Sequence, residues 1–539
     1  MAQEDESYLS SMTGKPLTRR EVLKGALLVG AGAAFAPALA ACGSSGGAAS
    51  SSPSASAAVA PKKGGTLRVG ISGGSSKETL DGQVGTTEPE VCNAYQLYDA
   101  LLGWDVNDLA VNRLAEEVSV SPNAQVWTVR IRKDVVFHNG KPVTADDVVF
   151  SYNRVIDPKS PKVGAGVLDM LKSSGIRKVD ARTVEFNLET PDAVFNEAMA
   201  NQYTLIVPVG FDPKTPIGTG PFKLKSFVPG QQIIYAPNEN YFGQIPAVDE
   251  LTVIEFTDAA ARVNALLGGT VDAISELPTA EVGVIKANSG LRVLDSHGGG
   301  WQPFTMRIDQ KPFTDVRVRQ AFRLIVDRKQ MIEQAYSGFG WEGNDMYGPF
   351  DPGYPKNLPQ REQDLEKAKS LLKAAGYDNL TVTLDTSDAV GSGAVAAAQV
   401  FAEQAKGAGV TVNVNKVDPS VFYGGQYLKW TFAQDFFYTH NYLAMAGEAT
   451  LPTAPYNACH WKNAKWLALV QEALRTADKT KRNELVGEAE TIEYNEGGYI
   501  VWAFNDAVDA YSAKLGGVIP DKYGAPLSSW HLNRFYFVA

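Results

Sequence analysis

At 539 residues the chain exceeds what one ordinary hydrophobic core organises, so two or more lobes are expected. Its net charge of −10 argues against nucleic acid as a partner. Three cysteines are too few for a disulfide scaffold, and beyond Cys42 only Cys92 and Cys459 remain, for which two buried free thiols are the expectation.

The first predicted element is an export signal. Arg19 and Arg20 precede an apolar run, residues 25–39, that falls short of the about 20 residues a membrane helix needs. A charged start, a short apolar middle and a small-residue end form such a signal, and the arginine pair fits the twin-arginine route. Leu39-Ala40-Ala41-Cys42 looks like a bacterial lipobox, in which the thiol is acylated and cleavage leaves Cys42 as the first mature residue. Residues 43–60 hold seven Ser, six Ala and three Gly, a composition that cannot repay its own ordering entropy. As a coil this stretch spans about 20–25 Å, the reach of a tether. The expected organisation is therefore a signal over 1–41, a lipidated cysteine and tether over 42–61, and a body held outside the cytoplasm by its lipid.

In the body, residues 66–71 read as a strand, and 126–132 alternate with Trp127, Val129 and Ile131 on one face. Asn139-Gly140 signals a turn. Thr144 followed by Asp147 is a helix start, with Val148, Val149, Tyr152, Val155 and Ile156 at helical spacing behind it. Val184, Phe186 and Leu188 alternate, and Pro229-Gly230 separates two strand-like runs. Further on come a helix over 364–375 with Gly376 as its cap, a strand at 380–384, a helix at 394–406 and a strand at 410–414. This alternation indicates an α/β layer. Helices over 464–477 and 481–494 and a strand over 499–504 complete the reading.

Two catalytic patterns need testing. Gly70-Ile71-Ser72-Gly73-Gly74 matches the nucleophile elbow of α/β-hydrolases, and His297-Gly298-Gly299-Gly300 matches their oxyanion loop. In that fold the oxyanion loop precedes the serine, whereas here it follows it, and residues 75–85 lack the helical stripe an elbow requires. A secreted esterase using Ser72 is the alternative of another class. Cys459-His460 with His440 could be read as a soft metal site, against which stands the simpler reading of separately hydrogen-bonded histidines. Neither a catalytic residue, a metal nor a cofactor is expected.

Several blocks in order resemble the family 5 extracellular solute-binding proteins of ABC importers. The most specific is VWTVRIRKDVVFHNGKPVTADDVVFSYNRVIDP, residues 126–158. Gly218-Thr219-Gly220-Pro221-Phe222, NALLGGTVD at 264–272 and KPFTDVRVRQA at 311–321 follow. The resemblance implies an α/β, two-lobed periplasmic-binding-protein clamp with mixed sheets. Its lobe I would be large, of the cluster C type, with an extra subdomain. Lobe I would span 62–303 with 500–539 returning to it, and lobe II 304–499. It also implies a monomer that captures a small organic solute, nominally peptide-like, and delivers it to an ABC permease. A sugar oligomer or a metal chelate is the alternative ligand within the same fold.

The cleft departs from the peptide binders. Those relatives hold the peptide amine with an Asp that follows a Gly-Trp in lobe II, but residues 432–445 contain no Gly-Trp, and Tyr442 lies at the matching place. Residues 386–394 lack the Arg that dipeptide binders use for the carboxylate. A buried charged terminus without a partner is costly, so free dipeptides are disfavoured. Aromatics take the anchors' place: residues 422–442 contain nine Phe, Tyr or Trp, against 10% for the whole chain. With period 2, Phe436, Tyr438, His440 and Tyr442 share one face and are expected to meet the ligand. Asp435 falls on the other face and would serve as a displaced acidic anchor if the strand ends early. Trp301 at the lobe crossover, and Trp502 and Asn505 on the returning strand, are further candidates.

Overall fold

The computed structural model describes residues 61–538. The export signal, Cys42 and all but the last residue of the expected tether lie outside the described residues.

The first sheet begins where the sequence alternates. Strand Thr66–Ser72 buries Leu67, Val69 and Ile71 completely, each side chain contributing about 1.5–3 kcal/mol relative to exposure. It pairs in parallel with Glu250–Phe256 on one side and Ala273–Ile274 on the other. Gln232–Pro237 and Phe222–Val228 extend the sheet antiparallel, joined through Gly230 at φ +75°, the turn that Pro229-Gly230 announces. On the far side Ala503–Ser512 and Leu291–Trp301 complete it, with Gly340–Glu342 added along Ala503–Ser512. Helices Glu88–Leu97 and Ala259–Leu267 cover this sheet.

A separate antiparallel sheet, in the order Ala115–Val120, Val126–Ile131, Thr183–Asn187 and Ile176–Lys178, forms the extra subdomain with its own core around Trp127, Tyr152, Phe186 and Phe195. Its helix Ala145–Val155 starts as the sequence indicates. Thr144 Oγ1 donates to Asp147 Oδ2 at 2.7 Å, and the Thr144 amide donates to the same oxygen at 3.0 Å.

The second lobe is a mixed sheet in the order Val410–Lys416, Leu380–Thr386, Phe432–Gln434, Phe304–Met306 and Tyr499–Ile500. Helices Val316–Ile325, Leu365–Ala374 and Ala394–Lys406 pack around its core. Arg319 and Arg323 on the first of these are structural. Arg323 is fully buried and donates from Nε and Nη2 to the Tyr499 carbonyl, at 3.0 and 2.9 Å, and from Nη1 to that of Tyr494 at 2.9 Å. Arg319 donates to the Glu496 and Phe313 carbonyls at 2.7 Å each. Together they fix the chain where it turns back toward the first lobe.

Two neighbouring crossings join the main strands of the two sheets, and between them in sequence Gly340–Glu342 reaches back from the second lobe to the edge of the first sheet. Leu291–Trp301 ends in the first sheet and Phe304–Met306 begins in the second, while Tyr499–Ile500 ends in the second and Ala503–Ser512 begins in the first. The run 499–504 is thus two strands, because a single ladder cannot serve both sheets. Cys92 and Cys459 are buried free thiols in different cores.

Candidate functional site

Between the lobes lies a wall of rings built on the segment after Phe432–Gln434. The chain leaves the ladder at Asp435 and returns at Phe437, which bridges to Trp301. The extended backbone between alternates: Asp435, Phe437, Thr439 and Asn441 are buried, while Phe436 is 36% and Tyr438 72% exposed. Phe436 touches Tyr438 at 5.7 Å and Tyr423 at 6.2 Å between ring centroids. Tyr423 meets Tyr427 at 5.1 Å, and Tyr427 meets the exposed Tyr456 at 6.5 Å. Helix Pro419–Phe422, capped by Asp418 onto the Ser420 amide, carries the chain into Tyr423.

Asp435 sits beneath these rings. Its Oδ1 accepts from the Phe436 amide at 2.9 Å and from the Tyr423 hydroxyl at 3.3 Å, and its Oδ2 accepts from the Tyr427 hydroxyl at 3.0 Å. Among the described residues no cation bonds to it. Burial raises its pKa to about 6, against the pull of those donors. Such a carboxylate gains from an incoming positive charge.

The opposing wall lies at the carboxyl ends of the parallel strands, where open α/β sheets place their ligands. Here too the groups are acidic. Glu88 accepts the Ser72 amide at 3.2 Å, and burial and then Glu276 raise its pKa. Glu255 accepts the Gly74 amide at 2.9 Å and is raised by burial and by its contact with Glu78. Asp509 is raised by burial to about 7 while accepting the Glu276 and Leu527 amides. Partial desolvation by the surrounding residues, and then the charges of Tyr203 and Glu276 from the first lobe, raise the Tyr438 phenol although its ring is largely exposed.

The remaining expected residues go elsewhere. Tyr442 is fully buried: it opens the helix Tyr442–Ala449, whose N-cap position Asn441 fills without a side-chain cap bond, and the ring enters the core instead of continuing the strand face. Its hydroxyl donates to Glu493 Oε2 and accepts from Trp466 Nε1, both at 2.7 Å. His440 turns toward Glu448, 3.6 Å away. Trp301 is packed between Phe437 and Tyr347, with centroids 4.5 and 5.2 Å away. Trp502 is buried, donates to the Gln302 carbonyl at 2.9 Å and packs on Tyr336. Asn505 pairs through its backbone with Gly300 and Gly340. These three build the crossing. Tyr423, Tyr427 and Tyr456 were not singled out by the sequence; the density of rings over 422–442 signalled the first two, and nothing local signalled Tyr456.

The catalytic and soft-metal patterns come apart. Ser72 leads into a loop and the next helix starts only at Glu88, so no elbow forms. His460 bonds to Asp309 and the Leu428 carbonyl, away from His440.

Two sheet-built lobes joined by adjacent strands, with a ring-lined junction between them, define a clamp-type solute-binding protein. The chain belongs to the bacterial extracellular solute-binding proteins of family 5, whose middle region matches residues 110–447. It is 26% identical over 472 residues to Heme-binding protein A of Haemophilus influenzae, covering 80% of this chain and 86% of the relative. It is 26% identical over 473 residues to the Dipeptide-binding protein of Escherichia coli, covering 79% and 87%. Among solved structures, the ABC transporter substrate-binding protein CtaP of Listeria monocytogenes superposes with TM-score 0.78 at 23% identity, covering 89% of this chain and all of that one. That likeness establishes the fold.

Proposed function

We propose that this protein is the substrate-binding component of an ABC importer, lipid-anchored through Cys42, and that it hands a captured solute to a membrane permease. In this reading the lobes divide at 303/304 and, since Ile500 still pairs with Phe304 in the second sheet, just after residue 500 instead of before it, and the ligand lies between the Phe436–Tyr438 wall and the acidic rim of the first lobe. The relatives named for dipeptides and heme support a small organic solute of peptide-like size. The observation that carries the reading further is Asp435, a buried carboxylate under a sheet of rings that has no cation bonded to it among the described residues. Rings and a carboxylate together suit a solute that bears a positive charge and an apolar body.

The test is thermal melting and calorimetric titration against panels of peptides, organic amines, sugar oligomers and metal chelates. A p-nitrophenyl ester assay runs alongside. A cationic peptide or amine should raise the melting temperature, and small-angle scattering should show a smaller radius of gyration when it binds. Binding confined to neutral sugars, or ester hydrolysis lost in Ser72→Ala, would overturn the reading.

A further inference from the structure

A second cluster lies on the crossing strands, apart from the ring-lined wall. Asp295, His297 and Asp506 each offer one donor atom, and the three donors lie within 4.8 Å of one another. Two of the residues sit on Leu291–Trp301, the last strand of the first lobe before the crossing. The third sits on Ala503–Ser512, the first strand after the return. The ladder between these strands is broken between Ser296 and Gly300. A bulge of this kind re-aims a side chain that regular pairing would fix, and His297 stands out with 67% of its side chain exposed.

The ion pair alone does not satisfy the cluster. His297 Nδ1 meets Asp506 Oδ1 at 2.9 Å, and the Asp506 side chain is 1% exposed. Asp295 Oδ1 is buried with no N–H or hydroxyl donor bonded to it. Burial raises Asp506, and Asp295 adds to this through its charge and a carboxyl–carboxylate hydrogen bond, so the two acids compete for one proton. Among the described residues neither carboxylate has a Lys or Arg ion-pair partner. Two carboxylates and one imidazole therefore face a shared point with an excess of negative charge.

We propose that Asp295, His297 and Asp506 bind a divalent first-row transition ion. One nitrogen and two carboxylate oxygens suit Zn²⁺ or Mn²⁺, with water completing the shell. Ca²⁺, which takes six to eight oxygens, is poorly served. The exposed imidazole supplies the entry path, and the ion draws the buried Asp295 oxygen into coordination.

The position gives the ion a consequence. Within the bulge the Gly299 amide donates to Thr439 Oγ1 at 2.9 Å, and the Gly298 carbonyl accepts from Trp341 Nε1 at 2.9 Å. Thr439 follows Tyr438 directly. A metal clasp across the two strands braces the bulge that holds the ring-bearing segment, whatever solute the cleft takes.

The test uses tag-free protein stripped of metal. Titration with zinc sulfate should show one site of micromolar affinity or better and a raised melting temperature, with no effect of calcium. His297→Gln and the isosteric Asp295→Asn should each weaken zinc binding by about 100-fold or more, since even residues behind a metal ligand cost 10–100-fold. Both variants should melt like the wild type without metal. Zinc bound equally by His297→Gln, or a loss confined to that variant while Asp295→Asn binds normally, would overturn the site. So would the absence of micromolar binding by the wild type.

Discussion

Trp301 and Phe437 exchange both backbone hydrogen bonds, at 3.0 and 2.9 Å, and stack their rings with centroids 4.5 Å apart. The last residue of the first lobe's strand is thereby fastened to the centre of the second lobe's ring-bearing segment. Phe436 and Tyr438 flank Phe437, so the proposed ligand wall sits beside the pivot. In the proposed clamp, a rotation between the lobes would leave this wall close to the crossing.

Tyr438→Ala should weaken solute binding by about thirtyfold, the equivalent of about 2 kcal/mol for a ring that a bound ligand and the closing lobe cover. The ring is 72% exposed, so the variant should fold normally. Calorimetry and melting curves check both halves. Wild-type affinity would move the site off this segment.

Asp435 makes a pH prediction. Its pKa is raised to about 6 by burial, so it loses its charge as the pH falls through that value. A cationic solute should bind less tightly below about pH 6, and Asp435→Asn should bind weakly with a flat profile in that range. An unchanged slope in the Asn variant assigns the titration to another group.

Tyr442→Phe separates core from cleft. The missing hydroxyl leaves the Trp466 N–H and Glu493 without their 2.7 Å partner, both buried. Urea unfolding should show a loss of about 1–3 kcal/mol, with solute affinity unchanged. A binding defect without a stability defect would return Tyr442 to the site.

The buried acids set the pH dependence of stability. Burial raises Glu493 to about 8, Asp509 to about 7 and Asp192 to about 6. In the unfolded chain such groups titrate near about 4. The folded state therefore keeps protons that the unfolded state releases, and stability should increase as the pH falls from about 8 toward about 6.5. Below that, His138, lowered by desolvation to about 4, and His531, lowered well below its usual value, gain protons on unfolding and oppose the rise. Asp309, lowered by its bond to Arg307, opposes this only at more acid pH. Melting curves across this range test the sign, and a melting temperature that climbs toward alkaline pH would refute it.

The anchor is tested by Cys42→Ala, which should release the protein from the membrane fraction. Arg19→Lys with Arg20→Lys should block export. A Cys42→Ala protein that stays membrane-bound excludes the lipid.

Local signals placed most elements. The Thr144 and Asp147 box, the Gly376 cap at φ +89° and the alternation of Leu67, Val69 and Ile71 appear where the side chains demand them. The alternation that separates Phe436 and Tyr438 from Asp435 and Phe437 was legible in the same way. It failed at Tyr442, where Asn441 begins a helix although its side chain is spent on Glu197, 3.0 Å away in the other lobe. The acidic rim was not legible: Glu255 and Glu276 come from the ends of parallel strands, Glu88 from a helix start and Asp509 from the antiparallel strand Ala503–Ser512, and only the fold brings them near one another. Nor was the break at 501–502, where one apolar run serves two sheets.

Cys92 and Cys459 carry a last consequence. Each thiol is sealed in its own core, where burial raises its pKa well above the ordinary value and keeps it protonated and unreactive. The described body needs no oxidant to reach its native state. Its folding is then independent of the redox poise of its surroundings, which suits the proposed twin-arginine route, where a chain folds before it is exported.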